Sequence, residues 1–152
     1  MTTAHDKENS VMDYKLELLL LPVSDVDLAK AFYIDKAGFT LDVDHRAGDH
    51  FRVVQLTPRG SACSISIGIG LTDAPPGSVR GTHLVVRDIV AARDELVGRG
   101  VEISEIRHLE PTGWVPGPDP ERSDYGSFAD FADPDGNTWV LQEAHHDGPG
   151  AP

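Results

Sequence analysis

The sequence predicts an α+β fold in which two tandem βαβββ modules follow one another along the chain. One observation is an internal repeat, because the segment starting at Val23 matches the segment starting at Val86 at an offset of 63 residues (86 − 23). A second is a pair of later turn segments, which start at Thr57 and Asp133 and match at an offset of 76 residues (133 − 57). A strand, a helix and three further strands are therefore predicted twice, in the same order.

The helix of each module is predicted from the residues that begin and end it. Ser24 or Asp25 is the predicted N-cap of the first helix and Asp88 that of the second, because a short side-chain oxygen satisfies the first backbone amides. Gly38 and Gly100 are predicted to end the two helices. The apolar residues of each helix lie on one stripe: Val26, Ala29, Phe32 and Tyr33 in the first, and Ile89, Ala92 and Leu96 in the second.

Apolar runs between turn signals predict the strands of both modules. The run from Leu18 to Val23 precedes the first helix, and a matching run ends at Val86. The three strands after each helix are predicted at Phe39–Asp44, Phe51–Leu56 and Ser61–Ile67, and at Val101–His108, Ser127–Ala132 and Asn137–Glu143.

Composition divides the chain into a single domain with two polar ends. Residues 1–13 are predicted to form a disordered leader, and residues 144–152, which are rich in glycine and proline, a flexible tail. The domain between them spans residues 14–143, with module one at 14–70, a linker at 71–80 and module two at 81–143.

Charge and composition exclude several classes of function. The 152 residues carry a formal net charge of −12, which repels phosphate backbones and argues against a nucleic-acid partner. No apolar run approaches the ~20 residues that a membrane-spanning helix needs, so no membrane association is expected. Cys63 is the single cysteine. An internal disulfide is therefore impossible, and a cytoplasmic location is expected.

The doubled pattern, with the segments LPVSDVDLAKAFY, LVVRDIVAARDEL and FADPDGNTWVLQE, resembles the vicinal oxygen chelate superfamily. That group includes glyoxalase I, bleomycin-resistance proteins, fosfomycin-resistance enzymes and extradiol dioxygenases. The resemblance covers about Leu16 to Glu143. It implies that each module curls into a half-barrel sheet and that the two modules enclose a cavity. It also implies a homodimer, since members of the superfamily often pair modules across chains.

The resemblance places the metal ligands of metal-using members on the first and last strands of each module. The corresponding residues in this chain are Leu18 and Gly81 on the first strands and Ser64 and Val140 on the last. Leucine, glycine and valine carry no side-chain donor, whereas a divalent ion needs at least three imidazole, thiolate or carboxylate ligands. We therefore expect no cofactor, with a divalent metal as the alternative.

Six residues are predicted to bind a ligand. His83 lies in an apolar strand on the side of Gly81, and it is either a general base, a ligand contact or a hydrogen-bonded core histidine. Gln142 shares the side of Val140, and His108 is a further donor. Arg52 either reaches an anionic ligand from the cavity rim or forms a surface salt bridge. Trp114 and Tyr125 lie in the stretch from Leu109 to Ser127, which is either a binding lid or an ordinary surface flap.

Three functions are compatible with these residues. The first is a metal-independent protein that binds a small aromatic or cationic molecule between its modules, similar to bleomycin-resistance proteins. The second is a lyase, isomerase or dioxygenase that depends on a metal or on His83 as its catalytic residue. The third is a structural or regulatory dimer in which Leu18, Leu20, Val85 and Val140 fill the cavity. The missing ligand residues favour the first.

Overall fold

The computed structural model describes residues 11–145, so most of the predicted leader and the predicted tail from residue 146 lie outside the described residues. Module one contains β1 (Leu18–Leu20), α1 (Val26–Ala31), β2 (Thr40–Arg46), β3 (Arg52–Thr57) and β4 (Ser64–Ile69). Module two contains β5 (Thr82–Val86), α2 (Ile89–Gly98), β6 (Arg107–Glu110), β7 (Gly113–Pro116), β8 (Ser127–Ala132) and β9 (Thr138–Glu143). Within residues 11–145 no helix is long and apolar enough to cross a membrane.

The strands form two open sheets, ordered β1-β4-β3-β2 and β5-β9-β8-β6-β7. The first and last strands of each module, β1 with β4 and β5 with β9, pair in parallel. The remaining pairs are antiparallel. The predicted α+β fold of two tandem βαβββ modules is confirmed, with β7 as an additional strand in module two.

The helix boundaries follow the capping residues. The carboxylates of Asp25 and Asp88 each accept a hydrogen bond of 3.0 Å, from the amides of Leu28 and Ala91. Of the two predicted candidates, Asp25 and not Ser24 caps α1, and the predicted cap of α2 at Asp88 is confirmed. After α1 the chain continues as a π-helical turn over Phe32–Lys36, which puts Tyr33 in the core.

Part of the predicted loop in module two is a β-hairpin. Leu109 of β6 pairs with Trp114 of β7, so the hairpin forms one edge of the second sheet. The predicted strand from Val101 to His108 is wrong over most of its length, because β6 begins at Arg107. The carbonyl of Ser104 in this segment accepts a 2.7 Å hydrogen bond from the side chain of Arg93 on α2, which draws the segment towards the helix.

The internal repeat has one offset for the turns before the last strands and another for the last strands themselves, β4 and β9. Leu18 pairs with Ser64 in module one. The register of β5 with β9 places Gly81, the repeat equivalent of Leu18, beside Thr138. Ser64 therefore corresponds to Thr138, at an offset of 74 (138 − 64) instead of 76. The reason is that two extra residues separate the turn from the strand in module one.

Both modules contribute to one hydrophobic core between the helices and the sheets. Trp139 of β9 contacts the rings of Tyr33, Phe39 and Phe131, and 1% of it is exposed. Its indole nitrogen donates to the Tyr33 hydroxyl at 2.9 Å, and that hydroxyl donates to the Asp133 carboxylate at 2.8 Å. Burial and the Asp133 charge raise the pKa of Tyr33, which keeps it a donor. Trp139 therefore lies in the core, on the side of β9 that faces the helices.

The ordered body continues two residues beyond the predicted end of the domain. Ala144 is buried, and its amide donates to the carbonyl of Val86 at 2.9 Å. The amide of His145 donates to the carboxylate of Asp124 at 2.8 Å.

Candidate functional site

Alternation along the strands gives each sheet a helix-covered face and an open face. On β9, Trp139, Leu141 and Glu143 are buried under the helices, while Val140 and Gln142 lie half-buried on the opposite side. The strand pairing extends the open face of the second sheet over all five strands. Its principal side chains are His83, Val85, Arg107, Trp114, Phe128 and Gln142.

Arg107, Trp114 and Phe128 form an aromatic patch on this open face. The rings of Trp114 and Phe128 meet edge to face with centroids 5.5 Å apart. The guanidinium of Arg107 lies 5.0 Å above the Trp114 ring and donates to Asp130 at 3.0 Å, which holds it in place. Trp114 is nevertheless 54% exposed. The Trp114 indole therefore exposes a large aromatic surface to solvent, while its contacts with Phe128 and Arg107 fix its position.

His83 and Trp114 lie at opposite edges of the open face. Their strands, β5 and β7, are separated by three others, which corresponds to roughly 19 Å across the sheet at ~4.8 Å per strand. Gln142 and Phe128 lie between them. The two predicted ligand contacts thus share a face but not one immediate neighbourhood.

His83 is exposed and lies beside a cavity between the modules. The cavity has a volume of about 300 Å³ and is lined by Leu16, Leu19, Cys63, Ser64, Thr82 and His83, among others. Nδ1 of His83 lies 2.7 Å from the carbonyl oxygen of Gly81, which can only accept, so Nδ1 carries the proton. In the neutral ring Nε2 is then an acceptor. No carboxylate hydrogen-bonds His83 among residues 11–145.

Gln142 and Tyr125 lie together at one end of the open face. The amide nitrogen of Gln142 donates to the carbonyl of Tyr125 at 3.1 Å. This contact leaves the amide oxygen of Gln142 without a hydrogen-bond donor among the described side chains and backbone. Gln142 therefore combines a fixed position with an acceptor that a ligand can use.

The loop that carries Tyr125 is held by a buried carboxylate. Glu143 is 0% exposed and accepts hydrogen bonds from Arg122 at 2.8 and 2.6 Å and from the Ile89 amide at 2.9 Å. Arg122 and Tyr125 both have positive φ, at 52° and 65°, which is strained for residues with a side chain. The loop is thus a pinned turn, and the prediction of a surface flap fits it better than that of a lid.

Arg52 lies on the helix-covered face of the first sheet, away from the open face. It is 7% exposed, and its guanidinium contacts Asp44 of β2 at 3.0 Å and Asp27 of α1 at 2.9 Å. The contact with Arg52, together with a second one from Lys30, lowers the pKa of the Asp44 carboxyl. Arg52 fastens α1 to the sheet, and this geometry fits the predicted alternative of a salt bridge better than a ligand contact at the cavity rim.

His108 also lies on the helix-covered side, because it pairs with the buried Ser127. Its two ring nitrogens each contact an acceptor at 2.8 Å, the Gly117 carbonyl at Nδ1 and the Glu110 carboxylate at Nε2. Since both acceptors require a proton, the imidazolium fits this position best. The prediction that His108 contacts a ligand on the open face does not agree with this placement.

His108 is expected to make stability depend on pH. The Gly117 carbonyl and then the Glu110 and Asp119 carboxylates raise the pKa of His108 in the folded protein. Its contribution is therefore complete below the unfolded pKa of ~6.5 and is lost as pH rises through the folded value. Urea unfolding between pH 5.5 and 9 measures the difference in the free energy of unfolding between the wild type and His108→Gln. This difference should become smaller as pH rises. An NMR titration with a pKa below 6.5 would contradict it.

The residues at the superfamily's metal positions do not fit a metal ion. Leu18, Gly81 and Val140 offer no donor, and register places Thr138 beside Gly81. Among residues 11–145 no three His, Cys, Asp or Glu side chains converge closely enough to hold a metal. The absence of a metal cofactor stays a prediction, and we derive no chemistry from such an ion.

The open face is not filled by its own apolar side chains. Leu20 is 41% exposed and Val85 is 50% exposed. Within one chain these apolar side chains do not fill the open face, and the structural dimer stays a prediction. The geometry therefore leaves room for a ligand on the open side of the sheets.

The sequence reasoning missed Phe128, Arg107 and Asp130. The alternation in Ser127-Phe128-Ala129-Asp130-Phe131 could have placed Phe128 and Asp130 opposite the buried alanine and phenylalanine. No such signal existed for Arg107, since its face depends on pairing with Phe128.

Comparison with known proteins identifies a matching protein family. Residues 15–141 match the model of the Glyoxalase/Bleomycin resistance protein/Dioxygenase superfamily. A curated relative, the uncharacterized protein YetH of Bacillus subtilis (strain 168), is 26% identical over 121 residues, or 80% of this chain and 91% of that protein.

Solved structures of similar proteins share the fold. TnmS3, an antibiotic binding protein from Streptomyces sp. CB03234, has a TM-score of 0.68 at 32% identity and covers 88% of this chain and 98% of its own. A glyoxalase/bleomycin resistance protein from the same organism has a TM-score of 0.64 at 34% identity, covering 84% and 99%. A superfamily member from Sphaerobacter thermophilus DSM 20745 has a TM-score of 0.68 at 27% identity, covering 88% and 100%.

Proposed function

Because this chain belongs to the glyoxalase/bleomycin resistance protein/dioxygenase superfamily, we propose that it binds a small planar aromatic molecule on the open face of its second sheet. The observation that carries the proposal is the aromatic patch, in which Trp114 is 54% exposed yet held by Phe128 and Arg107. The similarity to TnmS3, described as an antibiotic binding protein, supports a small-molecule ligand of this kind.

The contacts around the patch favour an aromatic ligand over a cationic one. Arg107 already occupies a position over the Trp114 ring, and its charge is matched by Asp130 at 3.0 Å. A second cation next to Arg107 would be repelled, whereas an aromatic ring can stack on the exposed indole surface. The amide oxygen of Gln142 then serves a hydroxyl or amine of the ligand, and Tyr125 lies beside it.

Binding without catalysis is the function that the residues support best. We propose that no divalent metal takes part, since the side chains at the metal positions are unsuited to one. His83 has a backbone carbonyl as its partner where an activated base usually has a carboxylate. A single free thiol at Cys63 suits a reducing cytoplasm, which we propose as the location.

Replacing Trp114 with alanine is expected to weaken binding of 2-naphthol, the neutral probe, about tenfold, because an aromatic contact of up to ~1.5 kcal/mol is lost. Isothermal titration calorimetry measures the effect, and EDTA should leave the affinity unchanged. Trp114→Phe should retain part of the affinity.

Phe51→Ala is the matched control, since Phe51 is an exposed aromatic residue directly before β3 of the first sheet. It should bind 2-naphthol like the wild type. Equal loss in both variants, tighter binding of the cation proflavine, or loss of binding with EDTA would each contradict the proposal.

The homodimer remains a prediction. Leu20, Leu41 and Val43 are each at least 40% exposed in the first sheet, and a second copy of the chain could cover them. Sedimentation equilibrium at micromolar concentration measures the mass directly.

A further inference from the structure

A second pocket lies on the helix-covered side of the molecule, away from the aromatic patch. It has a volume of about 200 Å³ and lies between the end of the first helix, the turn before β4, and α2. Its interior is apolar and includes Phe39, Leu84, Leu96 and Leu141. It is smaller than the ~300–1,000 Å³ pockets that take drug-sized ligands, so only a small molecule would fit inside it.

Two guanidinium groups lie at the mouth of this pocket. Arg59 comes from the turn of module one and Arg99 from the end of α2. They share one carboxylate, Glu95, at distances of 3.8 and 3.5 Å. Both distances exceed the ~2.7–2.9 Å of a charge-assisted hydrogen bond. Within residues 11–145 neither guanidinium has another ion-pair partner, so the mouth is locally positive in a chain of net charge −12.

The position of Arg99 is defined by a glycine. A Cβ atom on Gly38 would lie 2.2 Å from Nη1 of Arg99, so the guanidinium rests where any other residue would place its side chain. The φ of Gly38, at 78°, also disfavours a side chain. The guanidinium of Arg99 therefore lies directly against the backbone of Gly38, and among residues 11–145 its side chain makes no hydrogen bond.

We propose that this pocket binds a small monocarboxylate with an apolar tail, whose carboxylate Arg99 and Arg59 hold and whose tail lies against Leu84 and Leu96. Guanidinium groups match carboxylates in both charge and geometry, and an apolar interior favours a hydrocarbon tail. None of the aromatic-patch residues Arg107, Trp114 and Phe128 lines this pocket, so the proposal does not depend on the proposed aromatic ligand.

Hexanoate and its neutral counterpart hexanamide test the proposal on the full chain. Calorimetry should detect hexanoate binding, with hexanamide at least tenfold weaker. Arg99→Gln should lower the affinity for hexanoate at least tenfold, because a charge-assisted hydrogen bond is lost. Glu95→Gln should instead raise this affinity severalfold, because the carboxylate that competes for the two arginines is gone. These opposite directions cannot both arise from damage to the fold.

Matched controls separate this site from the rest of the protein. Arg46→Gln removes an exposed arginine of β2, and Trp114→Ala alters the aromatic patch; both should bind hexanoate like the wild type. Methyl NMR should show hexanoate-induced shifts at Leu84 and Leu96 and none at Val140. No binding of hexanoate, equal binding of hexanamide, an unchanged Arg99→Gln variant, weaker binding by Glu95→Gln, or shifts at Val140 would overturn the proposal.

Discussion

Replacing Trp139 with alanine is expected to lower the free energy of unfolding by about 3–5 kcal/mol, the usual cost of removing a large buried aromatic side chain. The loss is large because the indole contacts rings from both modules, those of Tyr33, Phe39 and Phe131. It also removes the donor to the Tyr33 hydroxyl. Urea unfolding followed by circular dichroism measures the change, which is a large share of the ~5–15 kcal/mol of a typical domain.

The second tryptophan provides the comparison. Trp114 is 54% exposed, so Trp114→Ala should cost about 1 kcal/mol or less, mainly through its contact with Phe128. Should Trp139→Ala fail to fold, Tyr33→Phe tests the same cluster. It leaves the buried Trp139 nitrogen without an acceptor and removes one of the donors to Asp133, which keeps Asn137, at a cost of about 1–3 kcal/mol. Equal stability of the two tryptophan variants would contradict a core shared by both modules.

Glu143→Gln is expected to lower the free energy of unfolding at pH 7 by about 2 kcal/mol, in the range for hydrogen bonds to charged groups. The glutamine cannot reproduce the two charged contacts with Arg122, which leaves the positive φ of Arg122 and Tyr125 unsupported. Because the Tyr125 carbonyl accepts a hydrogen bond from Gln142, the variant should also bind aromatic ligands more weakly. Glu102→Gln, an exposed glutamate, should change stability by less than ~0.5 kcal/mol.

The effect of Glu143 should depend on pH in a defined direction. Its contact with Arg122, aided by the Ile89 amide, lowers the pKa of the Glu143 carboxyl. A lowered folded pKa contributes stability above the unfolded value of ~4.3, and this stability is lost as pH falls through the folded value. As pH falls from 7 to 3, the free energy of unfolding of the wild type should therefore fall towards that of Glu143→Gln. A difference that stays constant over this range would show that the ion pair is not its source.

Features that depend on a few neighbouring residues could be predicted from the sequence. Asp25 and Asp88 cap their helices because the bond spans three residues, and the same holds for the turns around Gly60 and Gly136. The side of Gln142 followed from alternation within one strand. The aromatic character of Trp114 was evident, although its location on a strand was not.

Features that depend on strand pairing could not be predicted in the same way. The side of His108 required the true start of β6 at Arg107, because a strand that begins elsewhere exchanges its two faces. The role of Arg52 required its distance to Asp27 on α1, which lies 25 residues away in the chain. The pocket mouth required Gly38, Arg59 and Arg99 to meet from three separate segments.

The sequence by itself determined the duplicated modules, the capped helices and the lack of donor atoms at Leu18, Gly81 and Val140, since each depends on residue chemistry or on contacts a few positions apart. Only the tertiary structure decided that the indole of Trp114 meets Phe128 and Arg107 and that Arg59 and Arg99 both approach Glu95. The physical reason is that register and long-range packing choose which face each side chain occupies, and local preferences carry no information on that choice.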